Sequence, residues 1–74
     1  IHVATSHGHS IDVNYNPNDT IRQVKMKVYA RLWIHPDIQK IFLGDRELGD
    51  DKILGDHKIQ SGSALSIAPY HSGG

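Results

Sequence analysis

Histidine is the residue type in this sequence that points most directly to chemistry, since six of the 74 residues are histidines. His7 and His9 flank Gly8, so both imidazoles would face one side if this segment were extended. Two imidazoles can hold zinc or copper weakly, but a stable site needs further ligands. No third ligand follows at a suitable spacing, and there is no cysteine. We therefore predict polar turn residues, and neither a metal nor another cofactor.

Motifs of enzyme catalysis are missing from the sequence. There is no nucleophile elbow, no phosphate-binding loop and no pair of carboxylates at a meaningful spacing. Serine, histidine and aspartate all occur, as they do in most proteins. A chain of 74 residues also has little room for a substrate pocket of the usual size. We predict that the protein is not an enzyme.

Charge and length restrict the classes of partner. Eight basic residues balance eight acidic ones, so the overall field favours neither nucleic acid nor a membrane surface. No apolar run approaches the ~20 residues that a membrane-spanning helix needs. The length predicts a single domain, which would bury only about 60% of the surface of its unfolded chain. We expect a monomer whose partners are proteins.

The first predicted elements are a hairpin and a helix. Ile1 and Val3 alternate with other residues, as do Ile11, Val13 and Tyr15, with a turn at Gly8 between the two strands. Thr20 and Gln23 have the spacing of a capping box, which marks the start of a helix. The helix buries one stripe and ends before Pro36. Its predicted apolar positions are Ile21, Val24, Val28 and Leu32.

Three further strands are predicted after the helix. Residues 39–43 form a strand in which Ile41 and Leu43 share one face and Phe42 points to the other. Residues 46–48 form a very short strand, and an irregular stretch follows. In the last strand Leu65 and Ile67 face inward. This order predicts an α+β fold with a mixed sheet and one main helix packed on one face.

Segments of recognisable sequence run through the chain in the order of these elements. They are Pro17-x-Asp19-Thr20-Ile21-x-x-Val24-Lys25-x-Lys27, Ile34-x-Pro36-Asp37-x-Gln39, Leu48-x-Asp50, Leu54-x-Asp56-x-x-Ile59-Gln60, Ser63-x-Leu65 and Gly73-Gly74. Together they resemble the ubiquitin-like family over essentially the whole chain, with about a third of positions alike. The resemblance implies a β-grasp domain over residues 1–68 and a location in the cytoplasm or nucleus. Residues 69–74 lack bulk and apolar period, so we expect a flexible tail.

Two functions are open within this family. Some members are modifiers, joined through the C-terminal glycine to target lysines by an activating and conjugating cascade. Others are docking domains that bind receptors or proteasomal subunits. Gly73-Gly74 favours conjugation, because glycines let a tail thread a narrow enzyme channel. Pro69 and Tyr70 favour docking, since they lie where the resemblance predicts a flexible tail with arginines.

The resemblance also places a binding surface on the sheet. Phe42 takes the position of the isoleucine that ubiquitin-binding domains contact, and aromatic residues dominate interface hot spots. Ser6 and Ala68 take the two flanking positions, and Lys40 and Arg46 would form a basic rim. Alternatively, Phe42 is only a tolerated exposed aromatic. We favour docking through this face, with conjugation through Gly74 as the alternative.

Three other positions leave alternatives open. Trp33 stands where the family commonly has the glycine that ends the helix, so either the helix end differs or Trp33 is exposed for a partner. Lys25 and Lys27 match helix lysines of ubiquitin and are possible acceptors of further modifiers. Lys25 has a second interpretation, as a partly buried lysine paired with an acid such as Asp50.

Overall fold

The computed structural model describes residues 1–5 and 8–69, which form a five-stranded sheet crossed on one face by a helix. The elements are β1 (His2–Thr5), β2 (Ser10–Asp12), α1 (Ile21–Leu32), β3 (Gln39–Leu43), β4 (Arg46–Leu48) and β5 (Ala64–Pro69). The sheet order is β2-β1-β5-β3-β4, with β1 and β5 parallel and the other neighbours antiparallel. This arrangement confirms the predicted α+β class with a mixed sheet.

The core lies between α1 and the inner face of the sheet. Val3 pairs with Leu65 across the parallel strands, and Ile41 pairs with Ile67 across the antiparallel ones. Residues directly opposite each other share a face, so these pairs form one apolar layer. The completely buried side chains include Val3, Ile21, Val24, Val28, Ile41 and Leu54. The buried residues of α1 and the inward residues of the last strand are therefore placed as predicted.

The start of α1 is the capping box that the sequence predicts. The Gln23 N–H donates to Thr20 Oγ1 at 3.3 Å, and the Thr20 N–H donates to Gln23 Oε1 at 2.7 Å. Each side chain thus satisfies a backbone donor that the first helical turn leaves without a partner. The signal is local in sequence, and the prediction is confirmed.

The end of α1 lies before Pro36, as predicted, although a left-handed cap and not the proline marks it. The helix ends at Leu32, and Trp33 caps it with φ 62° while its N–H donates to the Tyr29 carbonyl at 2.9 Å. Pro36 instead opens a 3₁₀ turn over Pro36–Ile38. Trp33 is 81% exposed. The helix end is therefore not changed, because the left-handed cap is kept and an exposed tryptophan occupies it. Partner binding by Trp33 stays a prediction.

The left-handed backbone of Trp33 leads to a stability prediction. We expect Trp33→Gly to be more stable than Trp33→Ala by about 1 kcal/mol, because a Cβ is strained at this φ and glycine is not. Exposed Ala30 lies inside the same helix and is the matched control, where glycine should cost about 1 kcal/mol relative to alanine. Urea denaturation of the variants measures both differences. A Trp33→Ala variant as stable as Trp33→Gly would contradict the prediction.

The second strand is shorter than predicted. It ends at Asp12, although the Val13 N–H still donates to the Ile1 carbonyl at 3.0 Å. Tyr15 leaves the sheet, and its hydroxyl donates to the Ile59 carbonyl at 2.5 Å. This bond joins the segment after the hairpin to the irregular stretch before β5. That stretch contains a 3₁₀ turn over Leu54–His57 that the sequence did not indicate.

The described residues contain no helix long and apolar enough to cross a membrane.

Candidate functional site

Phe42 lies on the outer face of the sheet, away from α1. It follows Ile41, which is completely buried, so the alternation of the strand turns its side chain to the other face. It is directly opposite Glu47 on β4 and Ser66 on β5. Both of these neighbours are exposed, and Phe42 itself is half-buried. The strand therefore presents an aromatic ring among polar neighbours.

Two of the predicted partner-binding residues join Phe42 on this face. Lys40 is two positions earlier on β3, and Ala68 is directly opposite Lys40 on β5. Ala4 pairs with Ser66 on the next strand, so the face continues with small side chains. The outer face centred on Phe42, with Lys40 and Ala68 beside it, is called the sheet surface below.

Arg46 is separated from the sheet surface by the register. It is opposite Leu43, whereas Glu47 is opposite Phe42. Neighbouring residues of a strand point to opposite faces, so Glu47 and not Arg46 flanks the aromatic ring. The charges around Phe42 are thus mixed, with Lys40 along β3 and Glu47 across from the ring. A role for Arg46 in partner binding stays a prediction, and Ser6, Gly73 and Gly74 lie outside the described residues.

Lys25 is buried in an ion pair. Its side chain is 9% exposed, and its Nζ donates to Asp50 Oδ1 at 2.5 Å. Arg22 lies on the other side of the same carboxylate, with its NH1 3.4 Å from Asp50 Oδ2 and 2.9 Å from Asp37 Oδ1. The hydrogen bond from Lys25, aided by the charges of both cations and opposed by burial, lowers the pKa of Asp50 below 3.8. The paired-lysine interpretation of Lys25 is confirmed.

Lys27 also holds the helix to the rest of the chain. Its Nζ donates to Asp19 Oδ2 at 2.6 Å and to the Asn14 carbonyl at 3.0 Å. The side chain is 34% exposed, so its amine is more accessible than that of Lys25. A lysine that accepts a modifier must present a free amine to a thioester. Acceptor roles for both lysines stay predictions, and the contacts of Lys25 oppose its role more strongly.

Gln39 is an important residue that the sequence reasoning missed. It is 3% exposed, and its Nε2 donates to the Lys25 carbonyl at 2.9 Å and to the Ile34 carbonyl at 2.7 Å. The side chain thus ties the helix and the segment after it to the start of β3. Its place in the family resemblance was the only available signal, since both acceptors are backbone atoms.

A shallow cleft of about 220 Å³ lies between α1 and the segment that follows β2. Its lining residues are Asp12, Val13, Asn14, Lys27, Ala30 and Arg31. The cations there donate to backbone carbonyls, for example Arg31 NH1 to Asp12 at 3.3 Å. Within residues 1–5 and 8–69, no group of three or more His, Cys, Asp or Glu side chains is placed to hold a metal ion. The sheet surface is therefore the stronger candidate for a functional site.

Comparison with known proteins agrees with this geometry. The model of the family described as "Ubiquitin family" matches residues 1–68. The chain belongs to the ubiquitin family. "Ubiquitin-like protein NEDD8" of Dictyostelium discoideum is 32% identical over 74 residues, which are all of this chain and 96% of that protein. "Ubiquitin-like protein 1" of Schizosaccharomyces pombe is 28% identical over 74 residues, which are 95% of its length. The α+β fold is the β-grasp of this family.

Proposed function

We propose that this ubiquitin-like protein docks onto partner proteins through the sheet surface, without catalysing a reaction. The observation that carries the proposal is the half-buried Phe42 ring at the centre of the outer face, flanked by Ser66 and Glu47. An aromatic side chain buries a large apolar area on binding and loses little rotamer freedom. Phe42 is therefore suited to fill an apolar pocket in a receptor.

Two features of the sheet surface support this use. Phe42 is held on β3, which is hydrogen-bonded on both sides by β4 and β5, so its backbone position is fixed. Its neighbours at Ser66 and Ala68 are small, which leaves room for a partner to approach the ring. Lys40 and Glu47 supply opposite charges that would orient that partner. The proposed partners are ubiquitin-type receptors and proteasomal subunits.

The experiment is a titration of Phe42→Ala against those receptors and subunits that bind the wild-type protein. We expect the Kd to rise at least tenfold, because the variant removes the central apolar contact. The free energy of unfolding should change by less than ~1 kcal/mol, since the ring packs outside the core. Asn18→Ala, at an exposed residue of the loop before α1, is the control and should leave the Kd unchanged. An unchanged Kd for Phe42→Ala would contradict docking through this surface.

A second candidate is a modifier joined to target lysines through Gly74. It is favoured by Gly73-Gly74 together with relatives that are scarcely longer than the matched stretch. The tail in this proposal begins after Pro69, one residue later than the sequence predicted, because Pro69 is the last residue of β5 and pairs with Gln39. The test is incubation with ATP and a panel of the family's activating enzymes. Thioester formation that deletion of Gly74 abolishes would support it. We expect poor transfer by ubiquitin-activating enzyme, because Tyr70 replaces an arginine of the family pattern.

A further inference from the structure

The side of α1 that faces away from the sheet carries a second apolar stripe. Met26, Tyr29, Ala30 and Trp33 recur at the spacing that places side chains on one helical face. Met26 is 48% exposed and Trp33 is 81% exposed. The core already takes the opposite side of the helix, through Ile21, Val24 and Val28. Packing against the sheet therefore does not account for these four residues, which are called the helix stripe below.

Trp33 is the dominant side chain of the helix stripe, and it is held in place by its neighbours. Its ring meets Tyr29 edge to face, with centroids 6.3 Å apart and planes at 81°. Tyr29 in turn lies 5.7 Å from the His35 ring. Trp33 also has a left-handed backbone that a bulky residue rarely adopts. A large apolar side chain exposed on a strained backbone contributes little to folding, and such residues cluster at binding sites.

The electrostatics around Trp33 favour a cation. The negative end of the helix dipole lies at this cap, and the Asp37 carboxylate is 3.7 Å from His35 Nδ1. The same Nδ1 accepts a hydrogen bond from the Asp37 N–H at 3.2 Å. Aromatic faces carry negative charge, and that of tryptophan attracts cations most strongly.

The basic side chains of α1 are directed to other partners. Arg31, the basic residue of the last turn, bonds the Asp12 carbonyl on β2. Lys25 bonds Asp50, in the loop after β4, and Lys27 bonds Asp19, in the loop before α1. Arg22 is paired with Asp37 at 2.9 Å, so that carboxylate is already shared with a cation of the chain itself. The charge that the Trp33 face lacks is therefore one that a partner can supply.

We propose that the helix stripe binds an arginine-bearing segment of a partner protein, with the guanidinium stacked on the Trp33 indole. An apolar side chain of the same segment would pack on Met26 and Ala30. Arginine is favoured over lysine because its planar group stacks on an aromatic ring and is more weakly hydrated. The helix stripe and the sheet surface lie on opposite sides of the molecule, so this binding is independent of Phe42.

The experiment first selects peptides that bind the protein and then measures their affinity. A random 12-residue display library is panned on the wild-type protein and depleted on Trp33→Asn, a variant that keeps a residue tolerant of the left-handed cap. Selected peptides that lack tryptophan are synthesised and titrated by tryptophan fluorescence, which then reports on this site alone because Trp33 is the single tryptophan of the protein. Circular dichroism checks that Trp33→Asn is folded. Phe42→Ala is the matched control for binding.

We expect arginine to be enriched in the selected peptides. Replacing that arginine by alanine in the peptide should weaken binding about fivefold, and replacing it by glutamate should weaken it further. Phe42→Ala should bind the peptides as the wild type does. The proposal is overturned if no clone depends on Trp33, or if acidic peptides are enriched. It is also overturned if the fluorescence changes with protein concentration alone, since the stripe would then bind a second copy of the chain.

Discussion

Replacing Gln39 by leucine is expected to lower the free energy of unfolding by about 2 kcal/mol. The variant keeps the volume of the side chain but removes the Nε2 group that donates to the Lys25 and Ile34 carbonyls. A buried carbonyl left without its donor costs about 1–3 kcal/mol. Gln39 Oε1 has no hydrogen-bond partner among the described residues, so leucine also removes a cost, which limits the total loss.

Thermal and urea unfolding of Gln39→Leu would measure this loss. A destabilisation of that size should lower the Tm by ~10 °C in a domain of this length. Gln60→Leu is the matched control, because Gln60 is exposed and should tolerate the change within about 0.5 kcal/mol. If Gln39→Leu melts with the wild type, the two hydrogen bonds do not contribute to stability.

Asp50→Ala is expected to destabilise the protein by about 2 kcal/mol at neutral pH. The variant leaves the buried Lys25 ammonium without its carboxylate, 2.5 Å away in the wild type. Breaking a buried pair costs about 3–5 kcal/mol, but the Asp50 side chain is 47% exposed, so solvent reduces the loss. Lys25→Met combined with Asp50→Ala should recover most of the stability, because no unpaired charge then remains. Chemical denaturation of the single and double variants closes this cycle.

The pairing of Lys25 with Asp50 also leads to a prediction about the pH dependence of stability. The pKa of Asp50 is lower in the folded protein than its value of 3.8 in the unfolded chain. Below 3.8 the unfolded chain therefore takes up the proton first, and stability falls as the pH drops through the folded pKa. Asp50→Ala should show a smaller loss of stability between pH 5 and pH 2. If the wild type and Asp50→Ala lose the same free energy of unfolding between pH 5 and pH 2, the assignment is contradicted.

The sequence predicted those features whose signal is local. The capping box needs only Thr20 and Gln23, and the buried stripe of α1 follows from helical spacing. The prediction that β2 reaches Tyr15 was wrong. The Tyr15 hydroxyl has a partner 44 positions away, which the alternation of residues cannot show. The role of Gln39 was missed for the same reason, since both of its acceptors are backbone atoms outside β3.

The candidate site was predictable only in part. Strand alternation correctly turned Phe42 away from Ile41, and the family resemblance identified it as the centre of a surface. The neighbour across from it depends on how the chain turns at Gly44, whose φ of 62° sets the register of β3 and β4. That register put Glu47 beside the ring, where a basic rim was expected. A shift of one residue in the register of two paired strands changes the residue opposite every position.

The parallel pairing of β1 with β5 has a mechanical consequence. The chain enters the domain at the beginning of β1 and leaves it at the end of β5, and these two strands are neighbours in the sheet. A force that pulls the two ends apart therefore acts along both strands and strains their interstrand hydrogen bonds together, in shear. The hydrogen bonds of this parallel pair are evenly spaced along the strands, so they share such a load. Traction on the ends of this domain would meet its strongest resistance at the centre of the sheet.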